Sequence, residues 1–120
     1  VIPISYENIL KVDRKLFISA LKRVSLVITE KFKPVTLELN SDEIILSSQE
    51  TEMGKARIKL EASYEGKPLA VNYNAQYLLD ALETMKSEEI EMKIGEERTP
   101  ALTSGYRDEG FLYLLMPMVL

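Results

Sequence analysis

Two acid doublets, Glu96-Glu97 and Asp108-Glu109, are the first residues whose types suggest chemistry. Paired carboxylates can hold a divalent cation or divide general acid and base work between them. Each doublet lies in a turn-forming stretch beside glycine, where adjacent side chains seldom converge, and solvated loops are the plainer account. Nothing else supports catalysis. The 120 residues include no His and no Cys. That removes the usual imidazole base, the thiol nucleophile, the thiolate metal site and the disulfide framework. No Gly-rich phosphate loop is present either. An enzyme is the least favoured class, and neither a cofactor nor a metal is expected.

Three other sets of residues could bind rather than react. Arg14, Lys15, Lys22 and Arg23 fall on a stretch with helical spacing, the first three within about 100° of one another and Arg23 further round. Such a face is either solvated or meets nucleic-acid phosphates. The run Leu114, Leu115, Met116, Pro117, Met118 is either a core strand or an edge segment presenting apolar groups. Proline cannot donate to a ladder and suits a strand end, while methionine is deformable and accepts varied apolar ligands. Leu26-Val27-Ile28 is either core or an exposed patch for assembly.

Composition bounds these choices. With 46% hydrophobic and 28% charged residues, the chain is an ordinary globular domain. Its 15 basic and 19 acidic residues leave a net charge of −4, against a strongly basic nucleic-acid binder. The longest apolar run, Phe111–Met116, is far short of the roughly 20 residues that cross a bilayer. No signal-peptide pattern opens the chain, so no membrane role and a cytoplasmic location are expected. The first residue is Val rather than Met, which suggests an N-terminus processed or cut from something longer.

The elements that must position these residues follow from periodicity. Asp13 is a good N-cap, and Leu16, Phe17, Ala20, Leu21, Val24 and Val27 form one apolar stripe, predicting a helix over Asp13–Val27. Val35, Leu37 and Leu39 alternate with polar residues as a half-buried strand. Asn40-Ser41-Asp42 turns it into a hairpin with Ile44–Ser48. Lys55–Tyr64 alternates as one further strand, followed by a turn at Glu65–Pro68 and a strand over Leu69–Tyr73. Asn74 caps a second helix with Leu78, Leu79, Ala81, Leu82 and Met85 inward. Ile90, Met92 and Ile94 mark a strand ending at Gly95. Pro100–Ser104 and Phe111–Val119 are strands either side of a polar turn.

These elements repeat. Asp13–Val24 aligns without a gap on Asn74–Met85, capping residue on capping residue and Ala20-Leu21 on Ala81-Leu82. The strand Val35, Leu37, Leu39 then falls on Ile90, Met92, Ile94. Amphipathic helices resemble one another by default, but the shared order of helix and hairpin favours duplication. The expected fold is α+β, with internally duplicated strand–helix–hairpin units and two helices packed against antiparallel sheets.

At this point the residues carry a resemblance. The closing segment Tyr113-Leu-Leu-Met-Pro-Met-Val-Leu120 resembles the end of the bacterial DNA polymerase III beta subunit, the sliding clamp. Thr29-Glu-Lys-Phe-Lys33 and Asn74-Ala-Gln-Tyr-Leu-Leu-Asp80 are similar to that family's third domain, and the likeness runs over residues 1–120 in the same element order. It implies a DNA-clamp, or processivity-fold, domain whose two preceding domains are absent from this chain.

The resemblance also implies a role. The family's protomer has three such domains, and two protomers close into a ring-shaped homodimer around double-stranded DNA, held without sequence preference. By the matching positions, Val1, Phe32, Asn74, Tyr77, Leu114, Leu115, Met116, Pro117 and Met118 would line a groove for short peptide motifs. Its partners would be the polymerase III alpha subunit, the clamp loader delta subunit and other motif-bearing proteins. Arg14, Lys15, Lys22 and Arg23 would face DNA, and Leu26 and Val27 would pack at the ring interface. The implied function is a non-catalytic processivity factor, with this fragment alone a monomer. Some positions depart from the family. Val119 stands where Arg is often seen, Arg98–Pro100 aligns loosely, and Glu50 and Glu52 are followed by Lys55 and Arg57 at the interface. The alternative from another class is a stand-alone α+β peptide-binding or scaffolding domain unrelated to replication.

Overall fold

A computed structural model describes residues 8–28, 33–48, 54–95, 100–105 and 113–118. Both helices begin where their caps predict. Asp13 precedes α1 (Arg14–Ser25), its carboxylate accepting the Leu16 N–H at 2.9 Å. Asn74 precedes α2 (Ala75–Thr84), its Oδ1 accepting the N–H groups of Gln76 and Tyr77 at 2.9 and 3.1 Å. These bonds satisfy donors that a helix start leaves without an internal partner. The first helix is shorter than its apolar pattern suggests. It closes at Ser25, after which the Leu26, Val27 and Ile28 N–H groups each reach back three residues.

The strands form two antiparallel sheets. Numbered in chain order, they are β1 (Asn8–Asp13), β2 (Pro34–Asn40), β3 (Glu43–Ser47), β4 (Arg57–Glu61), β5 (Ser63–Glu65), β6 (Leu69–Asn74), β7 (Glu89–Ile94), β8 (Ala101–Gly105) and β9 (Tyr113–Leu115). One sheet has the order β5-β1-β7-β8-β9 and the other β4-β3-β2-β6. The predicted hairpin is present, with Leu39 opposite Ile44 and Asn40 opposite Glu43, and Asp42 holds the left-handed conformation its turn needs.

The strand that the duplicated unit requires ahead of Asp13, left without bounds by the periodicity, is β1, which pairs over six residues with β7. Two sequence expectations change. The single strand expected over Lys55–Tyr64 is two. β4 pairs with β3, the chain crosses at Ala62, and β5 pairs with β1 in the other sheet. Alternation persists across the crossing because both pieces face the same core, so periodicity could not reveal it. The expected C-terminal strand is, among the described residues, only Tyr113–Leu115, with Met116–Met118 leaving the ladder.

The topology bears out the duplication and shows that its copies interlock. The first copy runs β1-α1-β2-β3-β4 and the second β6-α2-β7-β8-β9. In space β1 lies beside the second copy's β7, and β6 beside the first copy's β2. Even the helix entries match: Arg14 N–H donates to the Glu88 carbonyl at 2.7 Å, and Ala75 N–H to that of Lys33 at 2.8 Å. Each copy lends its first strand to the other's sheet, so neither half has a complete sheet alone.

The helices touch each other, α1 packing on β1, β3 and β4 and α2 on β6 and β9. Phe17, Ala20, Leu21 and Val24 of one helix, with Leu78 and Leu82 of the other, join Leu10, Leu37, Leu46, Ile90 and Met92 in one buried core. Leu16 departs from its predicted stripe and is 55% exposed, whereas its neighbour Phe17 is fully buried.

Candidate functional site

A groove of about 680 Å³ lies between α2 and the C-terminal segment. One wall is a helical face, Tyr77, Asp80, Ala81 and Thr84, spaced at three and four residues as one side of a helix requires. The other wall is Tyr113–Met118, and Tyr73 and Asn74 close the end where β6 runs into α2. The backbone explains why the wall stands there. After β9 the chain crosses between sheets at Pro117, and Met118 N–H donates to the Asn72 carbonyl of β6 at 2.7 Å. Proline fits the crossing, where no ladder bond is needed from its nitrogen.

The groove is apolar and open. Among the described residues, five large hydrophobics are strongly exposed, and Tyr77, Leu114 and Met116 of this groove are three of them, at 65%, 62% and 60%. Such convergence of exposed apolar surface marks a place where something docks. Among the described residues Asp80 is the one charged side chain in the lining, and its carboxylate accepts from Gln76 Nε2 at 2.8 Å. Tyr73 is only 1% exposed, and its hydroxyl has no hydrogen-bond partner. Burial pushes that hydroxyl's pKa well above the ordinary tyrosine value.

The structure thus brings together Asn74, Tyr77, Leu114, Leu115, Met116, Pro117 and Met118. Leu115 serves both readings, a core residue at 7% exposure whose edge reaches the groove. Val1 and Phe32 lie outside the described residues, as do Val119, Arg98, Glu50, Glu52 and both acid doublets. Sequence reasoning missed Tyr73, Asp80, Ala81, Thr84 and Tyr113. Asp80, Ala81 and Thr84 were recoverable by stepping three, four and seven residues from Tyr77. Tyr73 and Tyr113 carried no such signal, since only the pairing of strands places them.

The interlocked repeat makes a second seam of the same construction. Val12, Asp13, Glu61, Ala62 and Ser63 occupy the positions that Tyr73, Asn74, Met116, Pro117 and Met118 hold in the groove, for Ser63 pairs with Lys11 as Met118 bonds to Asn72. A shallower hollow of about 500 Å³ lies there, with Asp42 and Glu89 also at its edge. One backbone plan therefore yields an apolar groove at one seam and an acidic hollow at the other. Among the described residues no cluster of acids is arranged to hold a metal ion.

The four cations of α1 separate. The Arg14 guanidinium donates from Nε to the Ser87 carbonyl at 2.8 Å and from Nη1 to the Leu82 carbonyl at 3.2 Å. It thereby satisfies a carbonyl of the last turn of α2, where a cation also suits the helix dipole. Lys22 Nζ stands 3.7 Å from Glu83 across the helix pair, an exposed pairing of small energetic worth. Lys15 and Arg23 are exposed. The triplet after α1 separates too: Leu26 is 77% exposed, Val27 half-buried and Ile28 buried.

Comparison with known proteins places this geometry. Residues 1–119 match the family model described as the DNA polymerase III beta subunit, C-terminal domain. A beta sliding clamp of Caulobacter vibrioides is 33% identical over 118 residues, covering 98% of this chain and 32% of that protein. The Streptomyces coelicolor beta sliding clamp is 29% identical over 122 residues, again 32% of its length. Among solved structures, a sliding clamp from Bartonella birtlesii superposes with a TM-score of 0.92 at 30% identity, over 99% of this chain and 34% of that one. A second structure of the Bartonella protein, with a TM-score of 0.91 at 31% identity, is bound to griselimycin. The chain thus spans about a third of the relatives it matches. With the family model matched almost end to end and the two-sheet fold superposing throughout, this chain belongs to the DNA polymerase III beta subunit family, as a C-terminal domain.

Proposed function

We propose that this domain is part of a non-catalytic processivity ring that encircles duplex DNA and tethers a replicative polymerase through the groove beside α2. The observation that carries the reading is the apolar opening formed by Tyr77, Leu114 and Met116, three large side chains left in water at one place. A short segment with apolar anchors would bury them. Its polymerase would then sit at a high effective concentration beside the DNA, which raises processivity without any chemical step. The alpha subunit, the clamp loader delta subunit and other motif-bearing proteins would compete for that groove. No helix among the described residues is long and apolar enough to cross a membrane, and a cytoplasmic location suits the role.

The other surfaces fit the same role. Lys15, Lys22 and Arg23 would make weak phosphate contacts, salt-dependent and blind to sequence. A ring needs no more, because enclosure rather than affinity keeps it on the duplex. Leu26, with Val27 beside it, would pack against the other protomer of a ring-shaped homodimer, the isolated fragment remaining a monomer.

An amide NMR titration with a Gln-Leu-x-Leu-Phe type peptide tests the groove. Saturable shifts at Tyr77 and Leu114–Met118 are expected. Their absence, with the neighbouring domain attached as well, would overturn the reading. Two further copies of the repeat encoded upstream of Val1 would separate a ring protomer from a stand-alone peptide-binding module.

A further inference from the structure

We infer that Tyr73, in the lining of the groove, is a specificity-determining residue whose buried hydroxyl donates to an acceptor oxygen of a bound peptide. The inference rests on the peptide-groove reading and deepens it.

The phenol is buried at 1% exposure, and its oxygen lacks a hydrogen bond. Native proteins seldom leave a buried hydroxyl unpaired, since the lost solvation is not returned elsewhere. Phenylalanine would fill the same space without that cost, so packing alone does not account for the oxygen. The location suggests what does. Tyr73 belongs to the groove lining, directly before Asn74, which caps α2, and directly after Asn72, whose carbonyl anchors Met118. Tyr73 thus belongs to the lining of an apolar groove rather than to a remote part of the core. The corresponding position in the other copy is Val12, whose side chain has no polar atom, and the hollow there is lined by charge. Ser25 and Thr103 also hold buried hydroxyls without a partner, but of the three only Tyr73 lines the groove.

The side chains around it can yield. Met116 and Met118 also line the groove, and unbranched thioethers change rotamer at little cost. A peptide whose apolar side chains displace them would bring a carbonyl or carboxamide oxygen within reach of the phenol. Burial keeps that phenol protonated, and so a donor, throughout the neutral range. An unpaired donor in a dry site discriminates strongly, because a ligand lacking the acceptor leaves it unpaired still.

The test compares the chain with its Tyr73→Phe variant, which deletes one oxygen atom. Affinity for a Gln-Leu-x-Leu-Phe type peptide should fall about tenfold by isothermal titration, the size of one hydrogen bond in a dry site. The thermal midpoint of the free variant should stay level or rise, since an unpaired oxygen is gone. A structural role would instead lower it. In the unaltered chain the Tyr73 Cζ resonance should shift as the peptide saturates. Equal affinity of the two chains, with peptide plainly bound, would overturn the inference and leave the groove standing. If neither chain binds, with the neighbouring domain attached as well, both the inference and the groove reading fail.

Discussion

Met118 is bound to Asn72 by a backbone hydrogen bond of 2.7 Å, which stitches the chain's last described residue onto the edge of the sheet opposite the one it has just left. That bond fixes the far end of the groove's C-terminal wall, whose near end, Leu114, is held by the pairing of β9 with β8. The counterpart pairing of Ser63 with Lys11 closes the other seam in the same way, but there the side chains are charged.

Tyr77 separates binding from folding. Its ring is 65% exposed, so Tyr77→Ala should change stability by no more than about 0.5 kcal/mol, as for most surface positions. Peptide affinity should fall more than tenfold if the ring is an anchor of the groove. Denaturant melts and a peptide titration on the same variant supply both numbers.

Arg14 and Lys15 are neighbours in sequence with different expected phenotypes. Arg14→Ala removes donors to the Leu82 and Ser87 carbonyls and should cost about 1–3 kcal/mol of stability. Lys15→Ala touches an exposed side chain and should leave stability unchanged. If the proposed ring forms around DNA, Lys15→Ala should instead weaken DNA retention and flatten its salt dependence. Urea midpoints and salt-series binding would show both patterns.

Stability should decline at high pH through Tyr73. Its pKa is raised by burial in the folded state above the ordinary value of 10.0. Below that value both states hold the proton and nothing changes. Above it the unfolded chain loses the proton while the folded chain keeps it, so unfolding becomes easier, by up to about 1.4 kcal/mol per pH unit. Unfolding free energies at pH 8, 10 and 11 should show this slope, reduced in Tyr73→Phe. Tyr64, raised by burial as well, supplies a residual slope.

Gly66 holds the turn between β5 and β6 against β1. Its φ is +140°, and an added Cβ would lie 2.2 Å from Asn8 Oδ1 and 2.9 Å from Asn8 Cα. Asn8 cannot simply withdraw, since its side chain accepts from Lys67 N–H at 3.0 Å and donates to the Ile94 carbonyl at 3.1 Å. Gly66→Ala should therefore destabilise by more than about 1 kcal/mol, visible as a lowered thermal midpoint.

What the sequence by itself determined is local and periodic. Asp13 and Asn74 announce the helix starts because capping uses a side chain and a backbone only two or three residues apart. Val35, Leu37 and Leu39 announce a strand, and Ile90, Met92 and Ile94 its copy, because alternation needs only a buried face. The C-terminal wall and the Asn74–Tyr77 end of the groove were legible from a resemblance resting on those same residues.

Tertiary structure alone decided the rest. The crossing at Ala62, the exchange of β1 and β6 between copies, and the placing of Tyr73 and Tyr113 in the groove all depend on which strands pair. Strand pairing is a long-range choice, made by the whole core at once, and no window of neighbouring residues records it. The separation of Arg14 from Lys15 has the same origin. Both are cations on one helix, and only the arrival of α2, 68 residues later at Leu82, turns one into a structural tie and leaves the other in solvent.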